Sequence, residues 1–244
     1  MSYYIDMHDH LLPGVDDGSQ TMEETLDLIE IEYQQGVRKI IFTPHYMLHK
    51  NSYTYEELDK KLEEVRARVA AVHPDMEFYL GNEILYENGI EADLRAGNLI
   101  HTMAGSRYVL VEFNIKISWQ EFYNAMKTVT ELRYRPIIAH VERYRCITGH
   151  EDRVRELRRL GVYLQMNAES LDGGFFDEEV RWCRRLVKDG YIDFISSDAH
   201  DMETRTPDMG DAIKWVTKKC GEDMVDALFR ENAELVIANK YIDI

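Results

Sequence analysis

Cysteine is scarce in this chain, with three in 244 residues, at Cys146, Cys183 and Cys220. They lie far apart and form no Cys-x-x-Cys pair, which argues against a disulfide framework and fits reduced thiols in a cytoplasmic protein. No Cys-x5-Arg loop is present, so a cysteine-nucleophile phosphoryl site is not expected. No stretch approaches the ~18 apolar residues that cross a bilayer, so no membrane insertion is expected. The amino terminus passes straight into the strand-like Tyr3-Tyr4-Ile5-Asp6-Met7, without the basic and apolar regions of a signal peptide. Positive charge is also short: 29 Lys and Arg stand against 45 Asp and Glu, a formal net charge of −16. That balance disfavours nucleic acid and anionic membranes as partners, since both are polyanions. It leaves room for a small anionic substrate, because bound metal ions reverse the sign locally. Nucleotide-binding glycine loops, internal repeats, low-complexity tracts and Pro/Gly/Ser linkers are all missing, so residues 1–244 read as a single domain.

What is present is an alternation of strand-like and helix-like segments. Strands are expected at 3–7, 38–43, 77–81, 108–113, 136–140, 162–166 and 192–197. Runs such as Lys39-Ile40-Ile41-Phe42 and Tyr108-Val109-Leu110-Val111 are nearly all apolar, as in parallel strands covered on both faces. Helices are expected at 22–35, 55–72, 119–133, 150–160, 177–189, 208–219, 222–229 and 232–239. The first two open with capping boxes, Thr21 with Glu24 and Thr54 with Glu57. Seven strands separated by helices point to an α/β fold, a parallel (β/α) barrel in place of an open doubly wound sheet.

Short clusters of histidine or acid end these strand-like runs. They are Met7-His8-Asp9-His10, Thr43-Pro44-His45, Gly81-Asn82-Glu83, Glu112, Ala139-His140 and Ser197-Asp198-Ala199-His200. His8 and His10 are two apart, so on a strand they share one face while Asp9 takes the other. Asp16-Asp17-Gly18 reads either as a turn before a capped helix or as a metal ligand beside a carboxylate that orients a ligand histidine. Glu112 closes a very apolar run, where a carboxylate needs a partner. Each cluster alone has an ordinary reading as surface, turn or core. Together they fall at the C-terminal ends of the strands, the face on which barrel active sites form, and that favours a multinuclear metal hydrolase. His49, His73, His101 and His150 have no such company. Asn167 either lines the pocket or serves a structural hydrogen bond. Arg143 and Arg205 follow His140 and His200 on loops at the same face, where guanidinium groups can hold two phosphate oxygens at once.

These residues resemble the PHP (polymerase and histidinol phosphatase) superfamily, and within it the manganese-dependent bacterial protein-tyrosine phosphatases of capsule and exopolysaccharide loci. The matching stretches include Ile5-Asp6-Met7-His8-Asp9-His10, Leu12-Pro13-Gly14-Val15-Asp16-Asp17-Gly18, Thr43-Pro44-His45, Gly81-Asn82-Glu83-Ile84, Ile138-Ala139-His140-Val141-Glu142-Arg143-Tyr144 and Ser197-Asp198-Ala199-His200. The resemblance implies a distorted seven-stranded, TIM-like barrel with three divalent ions, manganese foremost and iron or zinc also suited to the donors. It implies one ion on His8, His10, Glu83 and Asp198, and a second on Glu83, Glu112 and His140. The third would lie on Asp17, His45 and His200. Arg143 and Arg205 would bind the substrate phosphate and, with Asp198, form the catalytic group. Asp9 departs from the small residue expected between the paired histidines. The implied reaction is hydrolysis of phosphotyrosine in proteins by a metal-activated hydroxide, the substrate being the tail of a tyrosine autokinase that controls polysaccharide synthesis. The alternative is a small-molecule phosphomonoesterase such as a histidinol-phosphate phosphatase. A metal-bound scaffold without turnover is a third possibility, against which the full ligand set and both arginines count.

Overall fold

The computed structural model describes residues 3–50, 53–174 and 176–243. Parallel strands alternate with helices. The strands are β1 (Tyr4–Asp9), β2 (Val37–Phe42), β3 (His45–Tyr46), β4 (Glu77–Leu80), β5 (Glu83–Leu85), β6 (Tyr108–Glu112), β7 (Arg135–Ile138), β8 (Tyr163–Asn167) and β9 (Phe194–Ser196). The helices are α1 (Met22–Gln34), α2 (Tyr55–Val69), α3 (Ile90–Ala96), α4 (Trp119–Glu131), α5 (Glu151–Arg159), α6 (Glu178–Lys188), α7 (Gly210–Cys220), α8 (Glu222–Asp226) and α9 (Asn232–Ile237).

The strands form two sheets, in the orders β1-β2-β4 and β3-β5-β6-β7-β8-β9. The second is a curled half-barrel. The expected second and third strands are β2 and β4 of the first sheet, and each is followed by a short strand that was not expected, β3 and β5, in the second sheet. Pro44 has no N–H to give to a ladder, and it ends β2 before His45 begins β3. Gly81-Asn82 separates β4 from β5 in the same way, yet Gly81 N donates to Phe42 O (2.7 Å) and Glu83 N to Pro44 O (3.2 Å) across the break. The two ends of the chain of strands also meet: Asp198 N donates to His8 O (2.9 Å) and His10 N to Ala199 O (2.8 Å).

Side-chain alternation sorts the core into two clusters. Val109, Val111, Ile138, Leu164 and Ile195 face the helices with Leu28, Leu62, Phe122, Leu157 and Leu186. Their neighbours Ile5, Met7, Leu110, Ile137, Ala139 and Phe194 face the other way and pack with Ala233 and Val236 of α9. Burying apolar area on both faces, at roughly 25 cal/mol per Å², explains why these strands read as unbroken apolar runs.

Local signals place the helices. Thr54 and Glu57 complete a capping box on α2, and Ser118 and Glu121 complete one on α4. At α1 only half of the expected box forms. Thr21 accepts from Glu24 N (3.1 Å), while the Glu24 carboxylate takes the N–H of Gln20 (2.8 Å), one residue early. Helix α3 was not expected from sequence; its seven residues are too few to show a period, and glycines in the left-handed region flank it. The expected helices at 222–229 and 232–239 run together as α8 and α9, joined by a π-helical turn over Ala227–Glu231.

Candidate metal centre

Four strands, β1, β3, β5 and β6, and the loops after β1, β7 and β9 bring the candidate ligands together. β1 delivers His8 and, one residue past its end, His10, with Asp9 between them on the opposite face by strand alternation. His140 and Asp198 follow β7 and β9 in left-handed backbone conformations, with φ of 33° and 56°. Such geometry costs roughly 1–3 kcal/mol per residue and swings the side chain out of the strand's alternation. Asp17 comes from the loop after β1, which is held against the strand by Ser19 N donating to His10 O (3.0 Å). Gly18 makes that contact possible: a Cβ there would lie 1.9 Å from His10 O.

Glu83 is the hub. Its Oε1 lies 2.7 Å from His140 Nε2 and 3.4 Å from His8 Nε2. Its Oε2 lies 3.0 Å from His45 Nδ1 and 3.4 Å from His10 Nε2. Glu112 Oε1 sits 3.1 Å from His45 Nδ1, and Oε2 sits 4.0 Å from His140 Nε2. Asp198 Oδ1 is 3.5 Å from both His8 and His10 Nε2. Asp17 Oδ1 approaches His45 Nε2 at 3.4 Å and His200 Nε2 at 3.7 Å. All nine candidate ligands therefore occupy one site. Distance groups them as His10, Asp17, His45 and His200; His8, His10 and Asp198; and His45, Glu83 and Glu112, with ligand atoms within 4.8 Å in each group. His10 and His45 each stand in two of these groups, beyond the single role that the resemblance implies for each.

A supporting layer fixes the imidazoles. His10 Nδ1 hydrogen-bonds Asp16 Oδ2 (2.7 Å), whose same oxygen accepts from His45 N (2.8 Å). His8 Nδ1 meets Gln165 Oε1 (3.1 Å), and that oxygen also accepts from His140 N (2.6 Å). Gln165 Nε2 donates to Asn167 Oδ1 (3.0 Å), and Asn167 Nδ2 to Asp198 Oδ2 (2.7 Å). Each Nδ1 contact leaves the opposite nitrogen, Nε2, directed at the carboxylates. Of this layer, sequence reasoning included Asp16 and Asn167 and missed Gln165. The i, i+2 spacing of Gln165 and Asn167 on β8 was the available signal.

The arginines close the site on one side. Arg143 Nη1 lies 3.2 Å and Arg205 Nη2 lies 2.6 Å from Asp198 Oδ2, and Arg205 Nη1 donates to His200 Nε2 (2.6 Å). Asp201, which sequence reasoning also missed, shapes the loop that presents Arg205 by accepting from Glu203 N (2.7 Å), Thr204 N (2.6 Å) and Arg205 N (3.3 Å). His49, His73, His101 and His150 contribute nothing here; His73 pairs with Glu30 and His101 faces Asp93.

The electrostatics suit a cation. Burial by itself lowers His10, but hydrogen bonds to Asp16 and Glu83 override it and raise the imidazole to about 10. Burial also lowers His45, and Glu112 and Glu83 overcome that to raise it to about 11. Burial favours a neutral Glu83, yet His8 and His140 hold its carboxyl well below the usual range. His200 goes the other way, down to about 4, through burial and the nearby His10 and Arg205. Asp198 Oδ1 and His45 Nδ1 are buried without a hydrogen-bond partner. Buried carboxylates interleaved with imidazoles, some lacking donors, form a donor set suited to divalent transition ions.

Comparison with known proteins agrees with this chemistry. A family description, capsular polysaccharide synthesis, CpsB/CapC, matches residues 4–238. The chain is 30% identical to tyrosine-protein phosphatase CpsB of Streptococcus agalactiae over 243 residues, covering 98% of this chain and 100% of that protein. It is also 30% identical to tyrosine-protein phosphatase YwqE of Bacillus subtilis, over 98% of this chain and 93% of that one. A solved structure from a study of YwqE of Bacillus subtilis and CpsB of Streptococcus pneumoniae, described there as metal-dependent tyrosine phosphatases, superposes with a TM-score of 0.88 at 28% identity. It spans 98% of this chain and 96% of that chain. Histidinol phosphate phosphatase from Lactococcus lactis shares the fold, with a TM-score of 0.60 at 15% identity over 89% of this chain and 94% of that one. The chain therefore belongs to the CpsB/CapC family of capsular polysaccharide synthesis, and its motifs resemble those of the PHP superfamily.

Proposed function

We infer that this chain is a metal-dependent protein-tyrosine phosphatase of a capsule or exopolysaccharide locus. The observation that carries the reading is the convergence of His8, His10, His45 and His140 on the two oxygens of Glu83, with two arginines beside Asp198. Three divalent ions, manganese foremost, fit the donors. His8, His10, Glu83 and Asp198 would hold one, Glu83, Glu112 and His140 a second, and Asp17, His45 and His200 the third. Bound ions supply positive charge for the phosphate and lower the pKa of water to about 7 at the reacting centre.

The chain's own residues do the rest. Asp16 and Gln165 keep His10 and His8 turned so that Nε2 faces the centre. Arg143 and Arg205 bind phosphate oxygens and stabilise the charge that develops on them in the transition state. Asp198 aligns both guanidiniums. A tyrosyl oxygen leaves with a pKa of about 10 and needs less protonation than a serine alkoxide.

The site opens to the surface, with Asp17 67% exposed, which suits a protein tail better than an enclosed small substrate. The physiological substrate on this reading is the phosphorylated tail of a tyrosine autokinase. The fold reads as one domain: with β2 and β3 counted as one strand and β4 and β5 as another, the contact between β1 and the residues after β9 supports a distorted seven-stranded barrel, which would carry the metals at its C-terminal end. The test is metal analysis with turnover of phosphotyrosine peptides and of histidinol phosphate. Arg143→Ala is expected to lose peptide turnover and keep its metals, and His140→Ala to lose both. Unchanged turnover in both variants would overturn the assignment, and preference for histidinol phosphate would favour the small-molecule reading.

A further inference from the structure

A second group of acids lies behind β1, away from Glu83. Asp6 and Asp9 on β1 and Glu32 on α1 are each 0% exposed. One carboxylate oxygen of each lies within 4.8 Å of the others. The strand irregularity between Asp6 and Asp9 is what lets two residues an odd number apart face the same helix. Asp6 is partly satisfied, accepting from His8 N (3.2 Å) and Ser197 N (3.2 Å), and Asp9 Oδ1 accepts from Leu11 N (3.1 Å). Asp9 Oδ2 and both oxygens of Glu32 are buried with no N–H or hydroxyl donor, and the Glu32 carboxyl lies within hydrogen-bond reach of the Asp6 carboxyl. Among the described residues, no lysine, arginine or histidine forms an ion pair with any of the three. A carboxylate buried without donor or counter-charge costs several kcal/mol. Glu32 nevertheless projects from the apolar face that α1 shares with Leu28 and Ile29.

We propose that Asp6, Asp9 and Glu32 hold a fully buried hard divalent cation, separate from the ions at Glu83, which ties α1 to the first strand. The donor set is all oxygen, the chemistry of manganese, magnesium or calcium. A triangle of such edges places its centre about 2.8 Å or less from each oxygen, close to the ~2.0–2.6 Å bonds of these ions. Glu32 supplies two oxygens without a donor and Asp9 one, so the ion meets the groups that the protein leaves without donors. The competing way to neutralise the cluster is protons shared among the three carboxyls.

The test compares wild type, Glu32→Ala and Glu32→Gln, all expressed in medium containing manganese, magnesium and calcium. Total tightly held divalent metal per chain is measured by mass spectrometry, alongside phosphotyrosine-peptide turnover. Crystals of the manganese-loaded wild type are measured for anomalous scattering. The expected result is about one ion fewer per chain in either variant, with turnover retained and, in the wild type, metal density among the three carboxylates. Glu32→Gln keeps the side chain's shape, so it provides the reading if the alanine variant fails to fold. Equal metal content in wild type and variants, with no density at the cluster, overturns the proposal in favour of shared protons. Loss of all ions and of turnover together also overturns it, because the acids would then only brace the His8–His10 strand. The measurement reads a difference of one ion and does not depend on what the Glu83 centre hydrolyses.

Discussion

Single side chains decide whether the ligand nitrogens point inward. Asp16 holds both the His10 ring and the His45 backbone through one oxygen. Asp16→Asn is therefore expected to weaken metal affinity about 10–100-fold while the fold persists, as read by metal titration calorimetry and circular dichroism. Gly18 is needed for space: its backbone passes so close to His10 O that any Cβ collides. Gly18→Ala is expected to push the loop carrying Asp17 off the strand and to lower turnover sharply, checked by a metal-reconstitution assay. Protonation sets a pH dependence. In the metal-free protein Asp16 and Glu83 hold His10 up to about 10 against burial and the neighbouring His45, and Glu112 and Glu83 hold His45 up to about 11 against burial. Both rings must shed a proton to coordinate, so metal affinity is expected to rise with pH from about 6 to 9. Calorimetry in two buffers of different ionisation enthalpy should report protons released on binding; binding without release would contradict it.

At the scale of elements, β8 works as a rack. Gln165 and Asn167 stand two residues apart on it and reach His8, His140 and Asp198. Asn167→Ala is expected to lower kcat with a smaller effect on KM, because it frees Asp198 and not the outer parts of the phosphate site. The loop from His200 to Arg205 behaves differently. Its shape comes from Asp201 accepting three backbone N–H groups. Asp201→Ala is expected to raise KM for phosphotyrosine peptides while metal content stays constant. A helix cap remote from the site serves as the control. Ser118→Ala breaks the box at α4 and should cost ~1 kcal/mol of stability, seen as a lower midpoint in urea with turnover unchanged.

Over the whole molecule, the site concentrates buried acid and imidazole inside a chain of net charge −16. Ions bound there stabilise the folded state by mass action, ~2.7 kcal/mol at a free concentration 100 times Kd. Prolonged chelation is expected to abolish turnover and lower Tm, and manganese to restore both. An unchanged Tm after complete metal removal, confirmed by elemental analysis, would show that the charges at Glu83 are balanced by the protein alone. No described helix is long and apolar enough to cross a membrane.

The sequence by itself determined the order of the main strands and helices, though not the short β3, β5 and α3, since apolar runs and capping residues act over a few neighbours, and it marked the histidines and acids at the strand ends. Only the tertiary structure decided what those residues do to one another. Glu83 becomes a hub because β5 lies between β3 and β6, a pairing that no local signal encodes. Gln165 acquires a role only when β8 curls round to face His8. The chain resumes after Pro44 and Gly81-Asn82 as the short strands β3 and β5 in the other sheet, and two or three residues are too few to show a period in sequence. Asp9, marked from sequence only as turned away from the histidines, finds Asp6 and Glu32 because a strand irregularity and a helix face meet there. Through-space electrostatics and close packing join residues distant in sequence, and they exist only once the chain has folded.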